Sequence, residues 1–433
     1  MRSSLQFCFG LLALSALSLS GCGGGGDDKQ AQVRLLNVSP GYTSLDLYAN
    51  TADDDGADDL KSSAVAYEGV SDYVSLSSDT YTIKFKRNGA TSTLQTQSSQ
   101  KLTDDSHTLY VAYGSNGHFA TLPISEDVAD ADDKKTKVHV INTAEAGGLD
   151  VYLTDDAAVL DDATPQFSSL GSGAASSDAV LDSGTYRLRV TGAGDTTDLR
   201  FDVSNIVLES KKVVSVILTG TQGGVLVNAL VMPQQGSVTA NHNTKARVRG
   251  ATGIANGTSV SASIGGVSVL NNAAVGVIGS RYGQVAAGST AVALSVDGNP
   301  VTVANQTLAA GGDYTLLVWS DANGTETTLV SDDNRVPTTS GKAKIRVLNG
   351  VSGLGASITL SVDFAPVAEG VALGSASTYT EVDSGTDFEL DITNSSTAVN
   401  LLTRTSVSLQ DAAVYTMFVS GGAPVAATLR KDR

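Results

Sequence analysis

The sequence predicts an all-β protein of four tandem immunoglobulin-like antiparallel β-sandwich domains. Three observations predict it: an internal repeat, apolar residues alternating with period two inside each repeat, and a Gly-, Ser-, Thr-, Val- and Ala-rich composition with only 5% aromatics. A strand-like opener recurs as VRLLNVSP (33–40), VHVINTAE (138–145), VRGATGIA (248–255) and IRVLNGVS (345–352). The spacing of about 100 residues is far longer than a solenoid repeat and long enough for each copy to bury its own core.

After each opener comes a second alternating segment: SLDLYAN, GLDVYLT, SVSASIGG or SITLSVD. A hairpin-like block follows, such as YVSLSSDTYTIKF or DAVLDSGTYRLRV, then a later block such as KLTDDSHTLYVAYG or VLESKKVVSVILTG. A short terminal strand closes each copy. Tyr81, Ile83 and Phe85 share one face of their strand, as do Tyr314, Leu316 and Val318 of theirs, so each strand has one buried face. Roughly seven short strands per copy, joined by Gly, Asp and Ser turns, make a two-sheet sandwich. The run Leu181-Asp-Ser-Gly184-Thr-Tyr186 brings an aromatic to the start of a strand through a Gly turn, much as a tyrosine corner does. The third copy has Gly288-Ser-Thr290 there and no aromatic, which predicts a looser corner.

The copies are expected at 32–127, 137–233, 245–333 and 342–433. The polar stretches 125–136, 234–244 and 332–341 lie around their joins, with the composition of inter-domain linkers. With extended linkers, four such globules in line would project roughly 130 Å. The opener, the Gly-Thr-Tyr turn and the Leu-x-x-Gly-x-x-Tyr-Thr strand together resemble the bacterial domain-of-unknown-function family 4397. The resemblance implies a secreted or surface β-sandwich, frequently in tandem and on lipoproteins. It implies no catalytic residues.

The N-terminus has the anatomy of a secretory signal. Arg2 supplies a positive charge, Leu5 to Leu19 form a short apolar run, and Ser20 and Gly21 precede Cys22. Leu19-Ser20-Gly21-Cys22 resembles the lipobox of bacterial lipoproteins, which implies removal of residues 1–21 as a signal peptide and lipid attachment to Cys22. Residues 22–31 then form a Gly-rich tether spanning roughly 15–20 Å. Cys8 would leave with the signal, so no disulfide is possible. Gly23 stands where inner-membrane retention would place Asp. By resemblance to Gram-negative lipoprotein sorting, this favours the outer membrane, with the lipid anchor making the membrane a partner.

A net charge of −17 argues against nucleic acid as a partner. His107, His118, His139 and His242 show no metal-ligand spacing, and neither a Gly-x-Ser-x-Gly elbow nor a phosphate-binding loop is present. No enzyme is therefore expected. Asp53, Asp55, Asp58 and Asp59 crowd one loop that could supply oxygens to calcium, the one cofactor considered. Further acid clusters fall at Asp127–Asp133 and Asp155–Asp162. Trp319, the single tryptophan, alternates away from the Tyr314/Leu316/Val318 face and is the candidate ligand-stacking residue. Tyr110 and Phe418 occupy similar off-face positions in copies one and four, with packing on the second sheet's rim or a neighbouring domain as the competing use for all three. The expected role is non-catalytic binding, adhesion or spacing at the cell envelope, towards a protein or polysaccharide partner. The alternative is calcium-assisted carbohydrate or matrix binding.

Overall fold

The computed structural model describes residues 30–433 except 55, 115–117, 222, 255–257, 338, 353–356 and 423. The signal peptide, Cys22 and nearly all of the tether lie outside the described residues. Among the described residues the chain is all strand and turn, apart from one 3-10 turn at Leu160–Asp162.

Each copy is a two-sheet sandwich. Its opener strand lies at Gln30–Asn37, Lys135–Asn142, Lys245–Thr252 or Lys342–Val351. The opener pairs antiparallel with short strands such as Val74–Ser77, and in parallel with a penultimate strand. The penultimate strands are His107–Tyr113, Lys212–Gly220, Asp313–Asp321 and Val414–Gly421. The closing strands Ala120–Ser125, Val227–Pro233, Gly324–Asp332 and Val425–Lys431 pair antiparallel on their far side. The second sheet is wholly antiparallel. In the first copy it runs Leu60–Ala66, Ser44–Thr51, Asp79–Arg87, Thr93–Leu102. Among the described residues the parallel opener pair, repeated in every copy, is the one departure from antiparallel pairing.

Tyr186 forms the expected corner and Tyr81 an equivalent one in the first copy, their hydroxyls donating to the carbonyls of Asp182 and Ser77 at 2.9 and 3.1 Å. The third copy lacks this corner. There Gly288–Thr290 pairs only with Gln306–Leu308 as a separate two-stranded sheet, and the core divides into two clusters.

The opener sheets are buried on both faces. Val33 and Leu35 point into the first copy's own core with Leu45, Leu47, Ile83 and Phe85. Leu36 and Val38, on the opposite face, join Leu109 and Val111 in a second core with Ile141, Ile217, Leu230 and Met232 of the second copy. Ala251, Ile278 and Leu317 of the third copy meet Leu348 and Phe418 of the fourth in the same way. Two-faced burial is why these strands read as near-continuous apolar runs, while second-sheet strands alternate. Each fully buried Leu or Ile contributes roughly 1.5–3 kcal/mol, so these contacts are substantial.

The copies therefore pack as pairs, first with second and third with fourth, and the pairs are themselves joined. Thr221 Oγ1 donates to the Gly311 carbonyl at 2.8 Å, and Arg247 reaches Asp198 at 3.1 Å. Arg433 donates to the Glu145 carbonyl at 3.2 Å. The 130 Å array expected from extended linkers does not form, because the linkers are folded. Residues Thr239–Asn241 form a strand on the edge of Val227–Pro233, and the Gln234 side chain bonds both the amide and the carbonyl of Val128.

Candidate functional site

The parallel register brings equivalent positions together in every copy. The second core-flanking residue of the opener is Arg34, His139, Arg249 or Arg346. It lies opposite Leu109, Ser215, Thr315 or Thr416 respectively. Beside it stands the residue before the antiparallel partner strand (Tyr73, Asp178, Tyr282 or Tyr379) and the residue at or just past the end of the closing strand (Glu126, Gln234, Asp332 or Asp432). All point away from the copy's own core, toward the paired copy.

In the third and fourth copies these residues form a reciprocal exchange. Arg249 Nη1 bonds Asp432 Oδ1 at 2.5 Å, while Arg346 Nη2 bonds Asp332 Oδ1. Both arginines are 1% exposed and both aspartates 0%. Thr315 and Thr416 donate to Asp332 and Asp432 at 2.6 and 2.5 Å, and Tyr282 donates to Asp332 at 2.7 Å. The rings of Tyr282 and Tyr379 lie under the guanidinium carbons of Arg249 and Arg346 at 4.7 and 4.6 Å. Burial alone would raise the Asp332 carboxyl, but Arg346, Arg249 and the two hydroxyls outweigh it and hold it below the usual range. Every charge here is paired and hydrogen-bonded, the condition for burying it at all.

In the first copy, Arg34 grips Glu126 of its own copy through Nε at 2.6 Å and through Nη2. Tyr73 donates to the same carboxylate at 2.6 Å, and Arg34 Nη1 reaches the Gly236 carbonyl at 2.8 Å. The second copy breaks the pattern. His139 Nε2 lies 2.8 Å from Ser215 Oγ and Nδ1 3.3 Å from Asp178 Oδ1. Burial pushes the imidazole below its ordinary pKa, and Asp178 pulls it back only in part.

Ser215, His139 and Asp178 stand in the order of a nucleophilic triad. Their setting does not suit that chemistry. Ser215 is 4% and His139 8% exposed, on the face that packs against the first copy. Ser215 also sits mid-strand between two paired neighbours, so its backbone amide belongs to a ladder and offers no oxyanion donor. The same positions in copies three and four hold Arg and Thr.

Of the acid loop, Asp58 accepts from Lys84 and Lys86, each at 2.5 Å, and Asp59 from Lys61 at 2.5 Å. Lys84 and then Lys86 hold the Asp58 carboxyl below its usual pKa. Asp53 is exposed, and Asp55 lies outside the described residues. Two ammonium groups thus stand where a cation bound by Asp58 would sit. Among the described residues no three His, Cys, Asp or Glu side chains come together to hold a metal. Asp127 pairs with His107 at 2.7 Å, and Asp161 accepts from Thr196 at 2.6 Å.

Trp319 is half-buried, its Nε1 donating to Thr328 at 3.0 Å and its ring lying against Gly374 of the fourth copy. It belongs to the contact between copies. Its counterpart is Tyr113, which lies against Gly173 of the second copy in the same way. Tyr110 does not share that position: it points into the first copy's core, 5.6 Å from Phe85. Phe418 faces the third copy. The arginine–acid seam was not singled out from sequence. Its signal was there in VRLL, VRGA and IRVL, where a cation interrupts an apolar run on the face opposite the core.

Fold and seam together define a tandem β-sandwich protein whose sandwiches dock in pairs. Residues 31–152 and 246–356, more than half of the chain, match the family model described as a domain of unknown function, DUF4397, and the chain belongs to that family. Each match covers one copy and continues past the opening strand of the copy it pairs with, the first as far as the strand Leu149–Thr154. No curated protein matches the chain. Among solved structures it is similar to the family 26 carbohydrate-binding module of Eubacterium rectale Amy13K, crystallised with maltoheptaose. That match has 10% identity and a TM-score of 0.16, over 47% of this chain and 99% of that one. A likeness of this size carries nothing about function.

Proposed function

We propose that this chain is a lipid-anchored protein of the bacterial cell envelope, held at the outer membrane through Cys22, that acts by binding or structural support and not by catalysis. The observation that carries the reading is Leu19-Ser20-Gly21-Cys22 at the end of a short apolar run, followed by the Gly-rich tether. One acyl chain binds a membrane marginally, and two or three bind it firmly. The four sandwiches would hang from that tether as one joined body. The outer faces of the opener sheets are used in pairing, so a partner would meet the second sheets and their turns. A protein partner is favoured over polysaccharide, because the single tryptophan is engaged between copies.

Protease shaving of intact cells, with acyl-mass analysis of the N-terminal peptide, tests this. Lipid on Cys22 and loss of the protein from intact cells would place it on the surface. Lipid with protection until the outer membrane is opened would make it a periplasmic binding or support protein. An unmodified Cys22 would overturn the anchored reading.

A further inference from the structure

The most exposed large apolar side chain among the described residues is Phe364, 78% exposed at the tip of a two-residue turn between Ile358–Val362 and Ala365–Val371. Asp363 and Phe364 both have positive φ, 46° and 67°. The equivalent turn of the third copy, between paired Ile264 and Val267, uses Gly265 and Gly266 at 57° and 81°. Hairpin turns of this kind favour glycine because a Cβ is strained there. The fourth copy instead places a bulky aromatic at such a position, where it buries almost nothing.

The turn is also held rigidly. The Asp363 amide donates to the Glu389 carbonyl at 2.8 Å, and the Glu389 amide donates to Asp363 Oδ1 at 2.8 Å, tying the tip to Gly385–Asn394. The stretch of chain that carries it is acidic, and the carboxylates tied into the turn are Asp363 and Glu389, while Asp383 is paired with Lys342 and Asp391 is buried. From residue 347 to 403 the chain has no Lys, Arg or His, but has Asp363, Glu369, Glu381, Asp383, Asp387, Glu389 and Asp391.

We propose that Phe364 is a docking finger for a protein partner whose surface offers an apolar pocket rimmed by lysine or arginine. Backbone strain retained for an exposed aromatic points outward from the fold. Aromatic anchors set in pockets dominate protein interfaces, and complementary charge at the rim selects the partner and speeds encounter. The carboxylates at the turn itself, Asp363 and Glu389, disfavour an anionic lipid surface. The proposal deepens the binding reading above and rests on it.

The test is the full-length chain carrying photoreactive p-benzoylphenylalanine at position 364, irradiated in intact producing cells, with the same residue at Val399 as control. The expected result is a discrete protein adduct from position 364 and none from 399, reduced at least tenfold by Glu389→Lys. Phe364→Gly should keep the melting temperature at or above that of the parent, showing that the aromatic does not serve the fold. Lipid adducts, identical adducts from both positions, an adduct indifferent to Glu389→Lys, or no adduct at all would overturn the finger. With Cys22 acylated, such a failure leaves the anchored reading standing. An unacylated Cys22 sinks that reading, while a charge-sensitive adduct at 364 would still support the finger.

Discussion

Arg249 of the third copy donates to Asp432 of the fourth at 2.5 Å across 183 positions of chain, with both side chains sealed from solvent. Arg346 returns the contact to Asp332. The third and fourth copies thus each carry one arginine and one aspartate whose closest ion pairs form only across the docked pair. Buried pairs of this sort are weak evidence of stability, and their best-attested use is to fix register and partner. In the third and fourth copies the reciprocal exchange links the two sandwiches at matched positions, the arrangement that such a register role requires.

Removing one partner should be far more damaging than removing both. Asp432→Asn leaves Arg249 buried with only Asp332 nearby, at 3.7 Å, and should cost about 3–5 kcal/mol in urea unfolding. Arg249→Met combined with Asp432→Leu should recover most of that loss. A single-variant loss below about 1 kcal/mol would mean the charges are not coupled through the seam.

The aromatic–glycine contacts predict a contrast between glycines. Gly374 and Gly89 have φ of 74° and 73°, so alanine strains both backbones alike. A Cβ at Gly374 would clash with the Trp319 ring, whereas at Gly89 it would meet nothing within 4 Å. Gly374→Ala should therefore cost about 1–3 kcal/mol more than Gly89→Ala, from overpacking at the contact. Adding Trp319→Ala should remove most of the difference. Equal losses at the two glycines in thermal unfolding would place Trp319 outside the contact.

The fold was largely legible because the physics that sets it is local. Period-two alternation in Tyr81-Thr82-Ile83-Lys84-Phe85 marks a one-sided strand, and Leu181 to Tyr186 marks a corner that the Tyr186–Asp182 hydrogen bond confirms. The pairing of copies was not read, although its signature was present. Runs such as Val213 to Leu218 are apolar at every position but one, which a one-sided strand does not need. Polar linker composition suggested extension, yet Gln234 and Thr239–Asn241 show that polar residues also bond folded backbone. The partners of the acid loop were hidden for a similar reason: Lys84 and Lys86 are close to Asp58 in space but 26 and 28 positions away in sequence.

The loop of the first copy predicts indifference to calcium. With Lys84 and Lys86 on Asp58, a cation must displace two ammonium groups before it gains a ligand. Millimolar calcium should leave the melting temperature of the full chain within about 1 °C, since a ligand stabilises only in proportion to its binding. A larger rise that Asp58→Asn abolishes would restore a calcium site at this loop.

His139 predicts where acid acts first. It replaces the arginine of the other three copies, and the groups facing it are Asp178 and Ser215 of its own copy, with Glu126 of the first copy as a further acid influence. Its folded pKa is depressed, so below the unfolded value of about 6.5 the unfolded chain binds the proton more readily than the folded one. Stability from this group is complete above that pH, falls as pH drops from about 6.5 toward the folded pKa, and then levels off. The Asp332 carboxyl, also depressed, loses its contribution only below about 3.8, so the two windows separate. Hydrogen exchange at pH 7.5 and 5.0 should show faster opening of Lys135–Asn142 and Lys212–Gly220 in acid, with Lys342–Val351 and Val414–Gly421 unchanged. His139→Gln, which keeps a hydrogen-bonding side chain without a titratable ring, should erase that difference. Equal acceleration in both pairs, or acceleration that survives His139→Gln, would show that the histidine does not set the acid response of the first pair.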